Sequence, residues 1–232
     1  HVMARPKKNV AVSAPVGDET VREEFPENWA DVRGHAEIIS RLRALAGAQR
    51  LPHALIFCGM EGIGKRRTAR VLARTLLCAE AGDHPCGHCA SCRTMAAGVH
   101  PDYFETAPEA RGKSAAMIRT EAVRDILVAA SGTPVQSSRR IILIDGADCM
   151  NETAANRLLK TIEEPTGEVL FLLVTSAYDA VLPTIRSRAV CIAFGALPRA
   201  EIAAVLTERG AENAEAIAAL SGGSLGRALA LA

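Results

Sequence analysis

Short, unbroken apolar runs alternate along the chain with longer segments in which apolar residues recur every three to four positions. The runs are typical of strands buried on both faces, and the periodic segments are typical of amphipathic helices. The predicted strands are 54–58, 141–145, 169–174 and 190–194, with a short extended piece at 100–104. Strands that alternate with helices favour a parallel sheet. We therefore predict an α/β fold with a five-stranded parallel sheet and helices on both of its faces.

The same pattern divides the chain into three parts. Residues 1–24 mix Pro, Lys, Ser and Gly without periodicity, which predicts a flexible N-terminal extension. Residues 25–196 contain all the predicted strands. Residues 197–232 contain only short Ala-rich helical segments, and Ser224 can cap the last of these. We expect this last part to form a small all-helical domain.

The loop after the first strand has the layout of a phosphate-binding P-loop. Gly59, four intervening residues, Gly64 and Lys65 stand between a predicted strand and a predicted helix, and Gly62 adds a third glycine. Such a loop directs backbone N–H groups, a lysine charge and a helix N-terminus at phosphate. Arg66 follows the lysine, where a Ser or Thr hydroxyl normally binds Mg²⁺. An arginine has donors and no acceptor, so it cannot ligate the metal.

The strand that ends in Asp145 indicates a second part of a nucleotide site. In working ATPases an acid at this strand tip positions Mg²⁺, and a following Glu often prepares the attacking water. Here Gly146 follows instead, and Asp148 is a weak substitute. Thr175, at the tip of the next strand, is a candidate sensor of the γ-phosphate. The hydroxyl at position 66 and the Glu at position 146 are both missing, which argues against ATP hydrolysis and against Mg²⁺ binding. Because Lys65 and the glycines are present, nucleotide binding without turnover stays an open alternative.

Four of the seven cysteines form a cluster with metal-ligand spacing. Two of the three gaps between these cysteines contain only two residues, which suits tetrahedral zinc. His84 and His88 are competing ligands, but an all-thiolate site is the simpler assignment. A closed four-ligand site has a structural role, because no position remains for a substrate. The predicted ligands are Cys78, Cys86, Cys89 and Cys92.

Charge and hydropathy limit the remaining functions. The chain has 232 residues with a formal net charge of +1, which neither favours nor excludes nucleic acid. No apolar run approaches the ~20 residues of a membrane span, and we expect a cytoplasmic protein. A zinc-containing DNA-binding module is a further hypothesis. No basic run with interleaved aromatic residues supports it, since the pair at 139–140 is too short.

Several of these motifs together resemble the bacterial DNA polymerase III clamp loader, an AAA+ family, over about residues 25–232. The motifs occur in the order expected for that family: the P-loop, the four-cysteine insertion, 100–102, 141–145, the Leu-Leu-Lys-Thr-Ile-Glu-Glu-Pro segment 158–165 and Pro-Thr-Ile-Arg-Ser-Arg at 183–188. The ATP-hydrolysing gamma/tau subunit of the family is expected to have Thr at position 66 and Glu at position 146. Arg66 and Gly146 are therefore similar to the delta prime type of subunit.

The resemblance implies a stator without hydrolysis of its own, whose partners are the gamma/tau and delta subunits, with the sliding clamp and primed DNA reached through the complex. It implies that Arg188, with Ser187, acts as an arginine finger on a neighbour's ATP, although Ala189 replaces the usual Cys. It makes 197–232 a lid domain in which Arg227 matches a nucleotide-sensing arginine, and it implies zinc on the four cysteines. The alternative is a gamma/tau-type subunit that hydrolyses ATP. The family's collar domain does not follow Ala232, so we expect a fragment with weak self-assembly.

Overall fold

A computed structural model describes residues 26–109, 116–165 and 167–232. The predicted N-terminal extension therefore lies outside the described residues. In the part of the chain that is described, no helix is both long and apolar enough to cross a membrane.

The strands form one five-stranded parallel sheet, as predicted. The strands are β1 (Ala54–Cys58), β2 (Tyr103–Thr106), β3 (Arg140–Asp145), β4 (Val169–Thr175) and β5 (Val190–Ala193). The strand order across the sheet is β2-β3-β4-β1-β5, and every neighbouring pair is parallel. The segment after residue 100 therefore supplies an edge strand of this sheet.

Helices cover both faces of the sheet, which confirms the predicted layers. The helices are α1 (Ala36–Gly47), α2 (Lys65–Leu77), α3 (Ala90–Ala96), α4 (Thr120–Ala130), α5 (Glu152–Glu163), α6 (Pro183–Arg186), α7 (Arg199–Glu208), α8 (Ala214–Leu220) and α9 (Leu225–Leu231). Side chains alternate along each strand, so that Leu55 and Phe57 pack toward α1, α2 and α3, whereas Ile56 packs toward α4, α5 and α6. Asn151 caps α5, because its side-chain oxygen accepts a hydrogen bond from the N–H of Ala154 at 2.8 Å.

The strand register brings three predicted site elements to one edge of the sheet. Asp145 pairs with Val174, and Cys58 pairs with Thr175. Because all strands are parallel, the tips of β3 and β4 and the loop that follows β1 lie together at the carboxyl edge. This is where open α/β sheets bind their ligands.

Residues 197–232 form three helices with a small hydrophobic cluster of their own. The cluster includes Leu197, Ile202, Leu206, Ala218 and Ala228, all of which are buried. The Ser224 side chain caps α9 by accepting a hydrogen bond from the N–H of Arg227 at 3.2 Å. The first turn of α9 lies directly against the loop that precedes α2.

Candidate functional site

The loop that joins β1 to α2 has the geometry of a P-loop. Lys65 is the first residue of α2 and is buried, with its ammonium group bonded to the carbonyl oxygens of Gly59 and Met60 at 2.7 and 2.5 Å. Burial lowers the pKa of Lys65, although the nearby Asp145 carboxylate acts in the opposite direction. The first turn of any helix presents N–H groups without partners inside that helix. Lys65 and the first turn of α2 line the same space.

That space is a cavity of about 730 Å³ between the sheet and the lid helices. The structure brings most of the predicted nucleotide-binding residues together in the lining of this cavity, namely Gly62, Gly64, Lys65, Arg66, Asp145 and Thr175. Its lining also includes the apolar Val32 and, from the lid helices, the apolar Val205, Leu225 and Leu229 together with the charged Glu208 and Arg209. A cavity of this size is typical of sites for small molecules and cofactors.

Arg66 joins the P-loop to two acids at the carboxyl edge of the sheet. Its Nη2 atom lies 2.7 Å from Oε1 of Glu105, and its Nε atom lies 3.4 Å from Oδ2 of Asp145. Burial raises the pKa of Asp145, and the Arg66 charge counters part of that effect. Arg66 therefore lies between the helix that normally offers a metal-binding hydroxyl and the acid that normally positions the metal.

Glu105 is a site residue that the sequence analysis missed. It lies on β2 with its side chain only 8% exposed, and it accepts hydrogen bonds from Arg66, Arg70 and the Tyr103 hydroxyl. Burial alone would raise its pKa, but the two arginine charges hold the pKa of Glu105 below its ordinary value. The available signal was its position just after the extended piece 100–104, whose carboxyl end belongs at the same edge as Asp145.

Thr175 and Asp148 form a hydrogen-bonded pair at the cavity wall. The Thr175 hydroxyl donates to Oδ1 of Asp148 at 2.6 Å and accepts from the N–H of Ala177 at 3.1 Å. Both residues line the cavity. Asp148 thus orients the hydroxyl that we predicted as a phosphate sensor.

The lid donates hydrogen bonds to backbone carbonyl groups of the P-loop. The N–H of Gly226 donates to the carbonyl of Gly62 at 2.8 Å, and the Ser224 hydroxyl donates to the carbonyl of Glu61 at 2.8 Å. Gly62 has a φ of 74°, and a Cβ atom there would lie 2.4 Å from the Ser224 hydroxyl. Arg227 is exposed on α9 and is absent from the described residues that line the cavity.

Arg188 follows α6 and lies outside this chain's own cavity, as far as the described residues define it. Its Nε atom lies 2.6 Å from Oε1 of Glu163, and its side chain is 41% exposed. Its Nη1 atom donates to the Thr184 carbonyl and to the Ser187 hydroxyl, both at 3.1 Å. The two residues predicted for the arginine finger are therefore in contact at the surface, and Glu163 is a partner that the sequence analysis did not predict.

The four clustered cysteines converge around one point. Their sulfur atoms all lie within 4.8 Å of one another, so the cluster can hold a metal ion. The segment forms a short helix, α3, that the sequence analysis did not predict, and Cys89 caps it by accepting from the N–H of Cys92 at 3.3 Å. His84 contacts Asp83, and His88 contacts Glu80 at 2.8 Å. His88 also belongs to a second, more exposed group of candidate ligands with Glu80 and Cys86.

The sheet order, the P-loop and the helical lid define an AAA+-type P-loop protein. A family profile described as "DNA polymerase III, delta subunit" matches residues 34–198. The chain belongs to this family, and it is similar to proteins named delta'.

Relatives of known name agree with the family match. The chain is 41% identical to DNA polymerase III subunit delta' of Pseudomonas aeruginosa over 185 residues, which are 78% of this chain and 56% of that protein. It is 36% identical to the delta' subunit of Escherichia coli over 82% of this chain and 58% of that protein. The chain thus spans somewhat more than half of each of these relatives. A gamma/tau subunit of Mycobacterium tuberculosis is 34% identical over 80% of this chain and 32% of that protein.

Solved structures with similar folds have lower sequence identity. A single-substitution variant of RuvB from Thermotoga maritima superposes with a TM-score of 0.62 at 14% identity, covering 90% of this chain and 64% of that chain. The RuvB Holliday junction branch migration motor of the same organism superposes with a TM-score of 0.60 at 17% identity, covering 89% and 63%. These structures support the fold alone.

Proposed function

We propose that this chain acts as a delta prime stator of the DNA polymerase III clamp loader, without ATP hydrolysis of its own. The observation that carries the proposal is the position of Arg66 between Glu105 and Asp145. A Mg²⁺ ion would have to bind where the Arg66 guanidinium already pairs with the Glu105 and Asp145 carboxylates. Arg66 itself offers the ion no acceptor atom. Family membership supports a cytoplasmic role in which the chain works with gamma/tau and delta subunits and reaches the sliding clamp and primed DNA through the complex.

The test of this role is ATP turnover by the isolated chain. We expect no Mg²⁺-dependent hydrolysis above the level of a Lys65→Ala variant. The alternative, a gamma/tau-type subunit, is favoured by the named gamma/tau relatives. Turnover that requires Mg²⁺ and disappears in Lys65→Ala would establish that alternative and reject the stator.

Arg188 is proposed as the arginine finger for a neighbouring gamma/tau subunit, with Ser187 as its positioning partner. Its exposure and its location outside this chain's own cavity support a role in trans. An arginine finger contributes roughly 10³ to 10⁵ in rate in well-studied GTPases. We expect Arg188→Ala to lower the clamp- and DNA-stimulated ATPase of a reconstituted loader strongly. Arg41→Ala, at an exposed position on α1, is the control. Unchanged turnover in Arg188→Ala would contradict the assignment.

Structural zinc is proposed for Cys78, Cys86, Cys89 and Cys92. Tetrahedral zinc with Zn–S bonds of about 2.3 Å places its sulfur atoms about 3.8 Å apart. The Cys78–Cys89 and Cys86–Cys92 sulfur distances are 3.9 and 4.0 Å, and the donor set therefore fits. Metal analysis should give about one Zn per chain, and a chelator should destabilise the segment. Freely titratable thiols with no bound metal would overturn this site.

A further inference from the structure

Two cysteines outside the four-cysteine cluster lie side by side on the sheet. Cys58 is the last residue of β1, and Cys191 is the second residue of β5. Cys191 pairs with Ile56, which lies two positions before Cys58 on the same strand, so the two thiols are on the same face of the sheet. Their sulfur atoms are 2.9 Å apart, although 133 positions separate the two residues in the sequence.

The distance between these two sulfur atoms fits a disulfide better than a metal site. A disulfide bond is about 2.0 Å long, so the sulfur atoms have to approach by only about 0.9 Å. Thiolates on a tetrahedral zinc ion lie about 3.8 Å apart, which is close to the 3.9 and 4.0 Å in the four-cysteine cluster. Among the residues that the structure describes, neither Cys58 nor Cys191 belongs to a group of three or more candidate metal ligands.

The position of β5 at the edge of the sheet favours both access to the pair and bond formation. In the described sheet β5 pairs only with β1, whereas β1 is also held by β4 on its other side. A small shift of β5 toward β1 therefore disturbs no second ladder of hydrogen bonds. Cys58 is 9% exposed, but Cys191 is an exposed residue. A small oxidant thus reaches the two sulfur atoms from the open side of β5.

We propose that Cys58 and Cys191 form a modification site, at which a peroxide converts the two thiols into a disulfide within the chain. The site is separate from the proposed function, because neither cysteine lines the cavity or belongs to the four-cysteine cluster. The bond joins the strand that leads into the P-loop at Gly59 to the strand that follows Arg188 and leads to the lid.

The two sulfur atoms have different roles in this reaction. Partial burial of its sulfur raises the pKa of Cys191, and the hydrogen bond and the charge of Cys58 act in the same direction. Cys191 therefore keeps its proton and donates it in the hydrogen bond, which leaves the Cys58 sulfur as the nucleophile.

The reaction has two steps. In the first step the Cys58 thiolate attacks one oxygen of hydrogen peroxide, an S–O bond forms, the O–O bond breaks, and the hydroxide that leaves takes up the thiol proton as water. In the second step the Cys191 sulfur attacks the sulfenic sulfur of Cys58, the S–S bond forms, and the S–O bond breaks. The hydroxide leaves with the Cys191 proton as a second water. The two thiols lose two electrons in total, and one peroxide is reduced to two waters.

The experiment treats the chain with hydrogen peroxide, blocks the remaining thiols with iodoacetamide and maps the peptides by mass spectrometry. We expect a pair of peptides joined through Cys58 and Cys191, which dithiothreitol separates. Cys191→Ser should lose this product, and Cys149→Ser, at a third cysteine outside the cluster, should form as much of it as the wild type. A map in which Cys58 and Cys191 are both still thiols, or are oxidised separately without a bond between them, would overturn the proposal.

Thermal melting shows whether the bond is compatible with the folded chain. A disulfide that closes a long loop stabilises the fold, and we expect peroxide-treated wild type to melt roughly 4–16 °C above equally treated Cys191→Ser. Damage to the four-cysteine cluster affects both proteins and cancels in this comparison. Because Cys191 is exposed, its substitution should leave the untreated Tm unchanged. A treated wild type that melts no higher than the treated variant would overturn the proposal, since the bond would then form only in unfolded chains.

Discussion

Arg66, Arg70, Glu105 and Asp145 form a charge cluster next to the P-loop. Replacement of Glu105 by Gln is the most direct test of this cluster. The carboxylate is shared by Arg66 and Arg70, at 2.7 and 3.0 Å, and its side chain is 8% exposed. Gln preserves the shape and one acceptor but removes the negative charge. Loss of one partner from a buried ion pair costs about 3–5 kcal/mol. We expect a value near the lower limit, about 3 kcal/mol, because Arg66 keeps Asp145 as a partner.

Urea unfolding followed by circular dichroism measures this loss at neutral pH. About 3 kcal/mol in a chain of this size corresponds to a fall in Tm of roughly 6–12 °C. Glu215→Gln is the matched control, since Glu215 pairs with Arg199 at 3.2 Å but is 73% exposed. Exposed pairs contribute about 0–1 kcal/mol. A loss below about 1 kcal/mol for Glu105→Gln would refute the importance of the cluster.

The Glu105→Gln variant also tests how the stability of the fold depends on pH. The pKa of Glu105 is lower in the folded chain than its ordinary value of 4.5, because the charges of Arg70 and Arg66 outweigh the effect of burial. The contribution of ionised Glu105 to the stability of the fold is therefore fully present above pH 4.5, and it is lost as the pH falls through the pKa of Glu105 in the folded chain. We expect the stability difference between wild type and Glu105→Gln to shrink on acidification. A difference that stays constant or grows would contradict the assignment.

Two further substitutions test contacts at the edges of the site. Gly62→Ala should destabilise the docked lid, because its Cβ would lie 2.4 Å from the Ser224 hydroxyl; limited proteolysis reports the loosening. Gly210→Ala is the control, since Gly210 also has a positive φ but an added Cβ atom would have no neighbour within 4 Å. Equal effects of the two variants would refute the role of the contact between residue 62 and Ser224. Glu163→Gln should weaken the hold on Arg188 and lower the stimulated ATPase of a reconstituted loader less than Arg188→Ala does. An unchanged rate would show that Glu163 does not position Arg188.

Much of the fold was predictable because strands of a parallel sheet are buried on both faces and therefore stand out as apolar runs. The strands at Ala54–Cys58 and Val169–Thr175 appear in the sequence as such runs. The helices beyond Pro198 were predictable because the Ala-rich segments there are interrupted by glycines, at position 210 and at 222–223. The helix Ala90–Ala96 was not, because it is short, has no long apolar periodicity and begins at a cysteine that serves as its cap.

The charge pairs of the site were harder to predict, because the partners are far apart in sequence. Arg66 and Glu105 are separated by 39 positions, and they meet only because the sheet places β1, which leads into α2, and β2 on either side of β4 and β3. Asp148 and Thr175 are 27 positions apart and meet at the same edge. A charged residue that becomes buried needs a partner of opposite charge, but the sequence alone does not identify which residue that partner is.

Loss of hydrolysis at this site involves more than Arg66, and the structure shows why reversal is difficult. An active relative is expected to have Glu after the strand aspartate, but Gly146 has a φ of 79° and a Cβ atom there would lie 2.6 Å from Pro108. A Glu side chain is therefore excluded unless the backbone and the segment around Pro108 move. We expect neither Arg66→Thr nor Arg66→Thr combined with Gly146→Glu to hydrolyse ATP in a turnover assay, although the Thr hydroxyl again offers an acceptor to Mg²⁺. Turnover by Arg66→Thr would show that Arg66 alone blocks hydrolysis, and turnover by the double variant only would show that the loop around Gly146 accommodates the acid.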